Sequence, residues 1–231
     1  MNSVLERNLE NLHQFWSSLN AEHEHGIFTH PSWPNKQWQR DFSLHNDGIS
    51  AQSLAKKTYS TVGEVNEGLL NGLTIKSHLI IMSLILDNDD NTPLKKNENN
   101  SNIVKLNKND SAVEWTKACS SAFGYELDAT VVQRLLTNEN ASVLAYMVDG
   151  DIAGTAISYQ TNDTLGIHQL GTVPDYRKMG VAAALMDYII DDASQKQTVK
   201  QVSLQASQAG LHLYEKMGFV ALSQLTSLVT A

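Results

Sequence analysis

The apolar positions of this chain change period several times, and each change marks an element. Leu5, Leu9, Leu12, Phe15, Trp16 and Leu19 recur at helical spacing and predict a helix over residues 4–19. The segment THPSWPNKQW holds two prolines, which donate nothing to a ladder, so it is expected to be irregular or edge-like. A second helix is expected over 49–70, capped by Ser50 or Ser53, and HLIIMSLILD follows as a buried strand. From residue 103 the rhythm is clearer. IVKL is a short strand, and helices are expected over 111–123 and 128–136. ASVLAYMVDGDIAGTAISYQ reads as two strands joined at Asp149-Gly150-Asp151, a strong hairpin signal. LGIHQLGTV is a third strand, stopped by Pro174, and a helix over about 178–194 has Val181, Leu185, Tyr188 and Ile189 on one face. TVKQVSLQA is a strand, QAGLHLYEKM a helix closed by Gly218, and FVALSQLTSLVT the last strand or two. The order is β-α-α-β-β-β-α-β-α-β.

Composition adds a boundary. Residues 87–102, DNDDNTPLKKNENNSN, hold six asparagines and almost nothing to bury, the signature of a linker or long surface loop. The expected organisation is therefore an N-terminal α/β accessory half over 1–90, a linker over 91–102 and a catalytic-size domain over 103–231. The 231 residues carry a formal charge of -8, which argues against broad attraction to nucleic acid or anionic membranes. A single cysteine, Cys119, excludes an intrachain disulfide and favours a reducing compartment. No apolar run is long enough to span a bilayer, and the first residues lack a signal-peptide core. The expectation is a cytoplasmic protein, monomeric or homodimeric, with no nucleic-acid or membrane partner.

The chemistry concentrates where the third strand meets its helix, at HQLGTVPDYRKMGVAAALM. The first amides of a helix have no internal partner and sit at the positive end of its dipole, a natural anion site. Gly180 allows close approach to the backbone, Ala182 keeps the ligand side small, and Arg177 and Lys178 place two cations at the rim. Taken alone, the same residues favour an ordinary proline turn into a helix with two solvated cations. The turn is neither a Walker loop nor a dinucleotide GxGxxG.

The motif Arg177-Lys178-Met179-Gly180-Val181-Ala182 resembles the Arg/Gln-x-x-Gly-x-Gly/Ala signature of the GCN5-related N-acetyltransferase (GNAT) superfamily. LQASQAGLHLYEKMGF resembles that superfamily's second block, with Tyr214 and Gly218-Phe219 in register, one helix and one strand downstream. The resemblance implies an α/β (α+β) fold, a mixed sheet with helices on both faces, preceded by an N-terminal half resembling a degenerate copy of the same fold. It further implies acetyl-CoA as acyl donor, with its diphosphate on the amides from Lys178 to Ala183 and its pantetheine arm along the backbone of Thr172 and Val173. Val173 N–H would serve the oxyanion, and Tyr214 would supply the departing thiolate. His168 lies in the register where some members carry a catalytic histidine; strand parity leaves base and core histidine both open. Two departures are visible. Ser207 replaces a common asparagine and weakens a polar contact to pantetheine, while Gly210 replaces a common alanine and loosens a helix start.

The implied activity is transfer of acetyl to a primary amine of a small molecule or peptide, by direct attack in a ternary complex and without a metal. A non-catalytic acyl-CoA sensor would bind the same donor; O-acetylation or a longer acyl donor would leave the cradle unchanged. EHEHGIFTH has no second cluster to complete a metal site, and Cys119, among Trp115, Ala118, Ala122 and Phe123, reads as a core residue. THPSWPNKQW is the candidate wall of an acceptor pocket.

Overall fold

The structure, a computed structural model, describes residues 3–44, 54, 57–65, 68, 70, 72–86 and 101–230. In chain order the elements are α1 (Val4–Ser18), β1 (Glu22–Glu24), β2 (Ile27–Thr29), β3 (Lys36–Gln39), β4 (Thr58–Val62), β5 (Leu73–Ile85), β6 (Ile103–Lys105), α2 (Val113–Phe123) and α3 (Ala129–Leu135). Then come β7 (Ala141–Val148), β8 (Asp151–Thr161), β9 (Thr164–Thr172), a 3₁₀ turn (Pro174–Tyr176), α4 (Val181–Gln195), β10 (Gln201–Ala206), α5 (Leu211–Lys216) and β11 (Val220–Thr230). The order expected from residue 103 onward is the observed one. Among the described residues no helix is long and apolar enough to cross a membrane.

The chain forms two compact units, one of Met1–Ser83 with Leu204–Ala231 and one of Leu84–Ser203. This division differs from the one composition suggested, because residues 204–231 cluster with the N-terminal residues. In the first unit the strands run β1-β2-β3-β4-β11-β5. β3 and β4 are parallel, and the other described pairs are antiparallel, which makes the sheet mixed. α1 begins with a capping box, in which the Ser3 hydroxyl accepts from Glu6 N–H and the Glu6 carboxylate accepts from Ser3 N–H. Its apolar face supplies Leu12, Phe15 and Trp16 to the core, where Trp16 packs edge-on against Trp38 and Phe42. Buried Asn8 donates to Met82 O and Ser83 Oγ and accepts from Gln205, so a polar group inside this core is satisfied three ways.

Two expectations fail in this unit. The helix placed over 49–70 is interrupted by β4, whose run Thr58-Tyr59-Ser60-Thr61-Val62, rich in β-branched and aromatic residues, pairs with β11 on one side and β3 on the other; Ser50 and Ser53 lie outside the described residues. THPSWPNKQW is not irregular or edge-like throughout, since its β3 runs between β2 and β4 and both Trp33 and Trp38 are buried.

In the second unit β9, β8, β7 and β6 are neighbours in that order. The hairpin of β7 and β8 turns at Asp149 (φ 51°) and Gly150 (φ 92°), the left-handed pair of a two-residue turn. Two glycines let helices close on both faces of β8 and β9. A Cβ on Gly154 would run into Val181 and Leu185 of α4, and one on Gly171 would lie 2.7 Å from the Phe123 ring of α2. Gly154 stands opposite Thr172, so Gly171, one position away, points to the other face. α4 and α2 therefore flank the sheet on opposite sides.

Candidate functional site

The end of β9 fixes the site in the second unit. Val173 N–H donates to Ala153 O at 2.9 Å, so β8 keeps pairing one residue past Thr172. By antiparallel alternation the Thr172 backbone groups then point away from β8. The chain passes through the 3₁₀ turn, where Tyr176 N–H donates to Val173 O, and Tyr176 OH donates to Asp151 of the hairpin. Lys178 (φ 65°) and Gly180 (φ 81°) are both left-handed, and α4 begins at Val181. The first internal helix bond is Ala184 N–H to Gly180 O at 3.0 Å, which leaves the amides of Val181, Ala182 and Ala183 without a partner inside the helix. A run of outward amides at a positive dipole end, opened by left-handed residues, is a concavity suited to an oxyanion. Nothing within 4 Å crowds the Cβ direction of Gly180. Ala182 and Ala183 are half-buried, Val181 is buried against Gly154, and Met179 is 61% exposed.

Arg177 has a second tie. Its Nη2 donates to Ala122 O at 3.2 Å, so the guanidinium also caps the negative end of α2 and couples that helix to the turn. Lys178 is exposed at the rim.

Two roles implied by the resemblance meet obstacles. Both backbone groups of Val173 already hold internal bonds, to Ala153 and from Tyr176, which competes with the oxyanion and pantetheine roles expected of them, whereas the Thr172 backbone points away from β8. His168 is 8% exposed, and burial lowers its pKa to about 3. A base that weak is poorly matched to proton acceptance near neutrality.

Ser207 and Tyr214 belong to the other unit. Ser207 O accepts from Gly210 and Leu211, which starts α5, and Ser207 itself is exposed. Tyr214 is 9% exposed, packs edge-on to Phe219 at 6.0 Å, and burial raises its pKa to about 12. A Cβ on Gly210 would lie 2.9 Å from Tyr214 Cε2. Gly210 thus does more than loosen a helix start: its bare Cα makes room for the phenol ring.

Sequence reasoning missed Gly154, Gly171 and the bulge of β9. A glycine inside a strand pattern does signal close approach, though not by which helix. At the bulge, Gln169 and Leu170 together face Ala156, and Gln169 is left-handed (φ 49°). Cys119 is fully buried, with its thiol pushed up to about 12, as a core residue should be. Among the described residues no group of His, Cys, Asp or Glu could hold a metal.

The buried histidines make stability acid-sensitive. Burial lowers His30 to about 4 and His168 to about 3, so the unfolded chain takes up protons near pH 6.5 that the folded one refuses. Stability is complete above pH 6.5 and is expected to fall between 6.5 and 4, by up to roughly 1.4 kcal/mol per pH unit for each histidine. Denaturant unfolding across that range measures the slope, and His30→Gln should flatten it unless His30 titrates normally in the fold.

The sequence model of the acetyltransferase (GNAT) domain matches residues 99–227, more than half of the chain. No curated protein matches. Among solved structures, one from Novosphingobium aromaticivorans, described as a GNAT-family acetyltransferase, aligns over 100% of both chains at 17% identity with a TM-score of 0.64. A GCN5-related N-acetyltransferase from Kribbella flavida aligns over 95% of this chain and 93% of its own, at 16% identity and a TM-score of 0.61. A third, from Sphaerobacter thermophilus, aligns over 74% of this chain and 59% of its own, at 17% identity and a TM-score of 0.56. At such identities the likeness is one of fold. Together with the domain match over the β9–α4 turn, it places this chain in the GNAT acetyltransferase family.

Proposed function

We propose that the protein is an N-acetyltransferase that moves acetyl from acetyl-CoA to a primary amine of a small molecule or peptide, by direct attack in a ternary complex. The observation that carries this is the start of α4, where three amides without helical partners follow left-handed Lys178 and Gly180. These amides would hold the diphosphate, with Arg177 and Lys178 adding positive charge. The Thr172 backbone, facing away from β8, would bond the pantetheine arm.

Tyr214 would serve the leaving thiolate. With its pKa near 12 the phenol stays protonated at neutral pH. A thiolate near 8.5 is a weaker base than this tyrosinate, so full proton transfer is uphill and the phenol works chiefly as a hydrogen-bond donor. A bond to a charged group contributes about 1.5–3 kcal/mol, so Tyr214→Phe should lower kcat by roughly 10- to 100-fold and leave the acetyl-CoA KM nearly unchanged. Thiol release with a panel of amines measures it. An unchanged kcat would remove Tyr214 from the mechanism.

A second reading draws on the occupied Val173 N–H and the weakly basic His168. With neither an oxyanion donor nor a base at those positions, a non-catalytic acyl-CoA sensor would need nothing more than the cradle. Tight acetyl-CoA binding with no turnover on any amine would favour it.

A further inference from the structure

The α2–α3 loop carries the most conspicuous exposed aromatic pair of the second unit. Phe123 is 38% and Tyr125 46% exposed, and their ring centroids lie 5.6 Å apart. The pair is held on a rigid loop. Gly124 (φ 73°) closes α2 with a bond to Ser120 O, Leu127 N–H bonds Ser120 Oγ at 3.0 Å, and Asp128 caps α3 through Thr130 N–H. Both rings also touch the end of β9. Phe123 lies over bare Gly171, one residue before Thr172, and Tyr125 OH bonds the Gln169 carboxamide at the bulge. Arg177, at the cradle, bonds the last turn of the same helix.

We propose that Phe123 and Tyr125 form the acceptor-side subsite and select amines with an aromatic or flat apolar body. The inference rests on the acetyl transfer proposed above. Exposed rings pre-set on a fixed loop are positioned to grip a flat ligand without ordering themselves first. Glu126 and Asp128, on the same loop as Tyr125, suit an ammonium on that ligand, while the Arg177 guanidinium beside Phe123 is engaged by Ala122 O. The ring faces add cation–π attraction.

The test is calorimetric titration of the CoA-loaded protein with 2-phenylethylamine and with spermidine, for wild type and for Phe123→Ala/Tyr125→Ala. Both side chains are exposed, so the double variant should fold and bind CoA as wild type does, which the same titrations verify. Wild type should bind 2-phenylethylamine at least about tenfold more tightly than spermidine, and the double variant should lose that preference with spermidine unaffected. Equal binding of the two amines by wild type, or an unchanged preference in the double variant, overturns the subsite. Thiol release is followed separately: binding contrast without turnover defeats the acetyl-transfer reading and leaves the aromatic amine site standing.

Discussion

Gly180→Asp should weaken acetyl-CoA binding about a hundredfold while the binding of S-acetylpantetheine, which has no diphosphate, stays close to wild type. Gly180 is left-handed (φ 81°), with open space where a Cβ would lie, so the added side chain meets no clash. Backbone strain alone costs about 1–2 kcal/mol, mostly in stability. The effect on binding is electrostatic. A carboxylate at the start of α4 competes for the amides of Val181, Ala182 and Ala183 and repels the diphosphate. Charge-assisted bonds contribute about 1.5–3 kcal/mol each, so loss of one or two reaches the hundredfold range. Gly180→Ala carries the strain without the charge, and its affinity should fall only several-fold.

The second large effect is expected at Gly154→Ala. The new methyl would overlap Val181 and stand 3.2 Å from both Leu185 Cδ1 and Gly171 O, so α4 must lift from β8. Overpacking of this kind costs about 1–3 kcal/mol. For a chain of this size the thermal midpoint should drop by roughly 2–12 °C. Because α4 carries the cradle, acetyl-CoA affinity should fall as well. Adding Val181→Ala removes the clashing methyl and should restore both quantities, a rescue that nonspecific destabilisation would not produce. A Gly154→Ala protein with wild-type midpoint and affinity would show that α4 tolerates displacement.

What the sequence made legible followed the physics of each signal. Local periodicity defined α1, the β7–β8 hairpin and α4, because their apolar faces and turn residues sit within one window. β4 was lost for the opposite reason: helical spacing over 49–70 outweighed a five-residue run, four of them β-branched or aromatic, that pairing with β11 and β3 turns into a strand. The grouping of 204–231 with the N-terminal residues depends on strand pairs far apart in sequence, such as Leu225 with Leu79, which composition does not encode. In the site, the cradle residues could be read because glycine and alanine spacing is itself the motif. The engagement of Val173 could not, since it depends on β8 extending one residue beyond Thr172. The burial of His168 could not be read from strand parity either, since the bulge at Gln169 and Leu170 breaks the alternation beside it.

The central claim is that α4 begins as the diphosphate site, and one calorimetric comparison addresses it directly. Wild type and Gly180→Asp are each titrated with acetyl-CoA and with S-acetylpantetheine. The predicted result is one-to-one binding of acetyl-CoA by wild type, about a hundredfold weaker binding by the variant, and no such difference for S-acetylpantetheine. Equal acetyl-CoA affinity in the two proteins, or no binding by wild type, would contradict it.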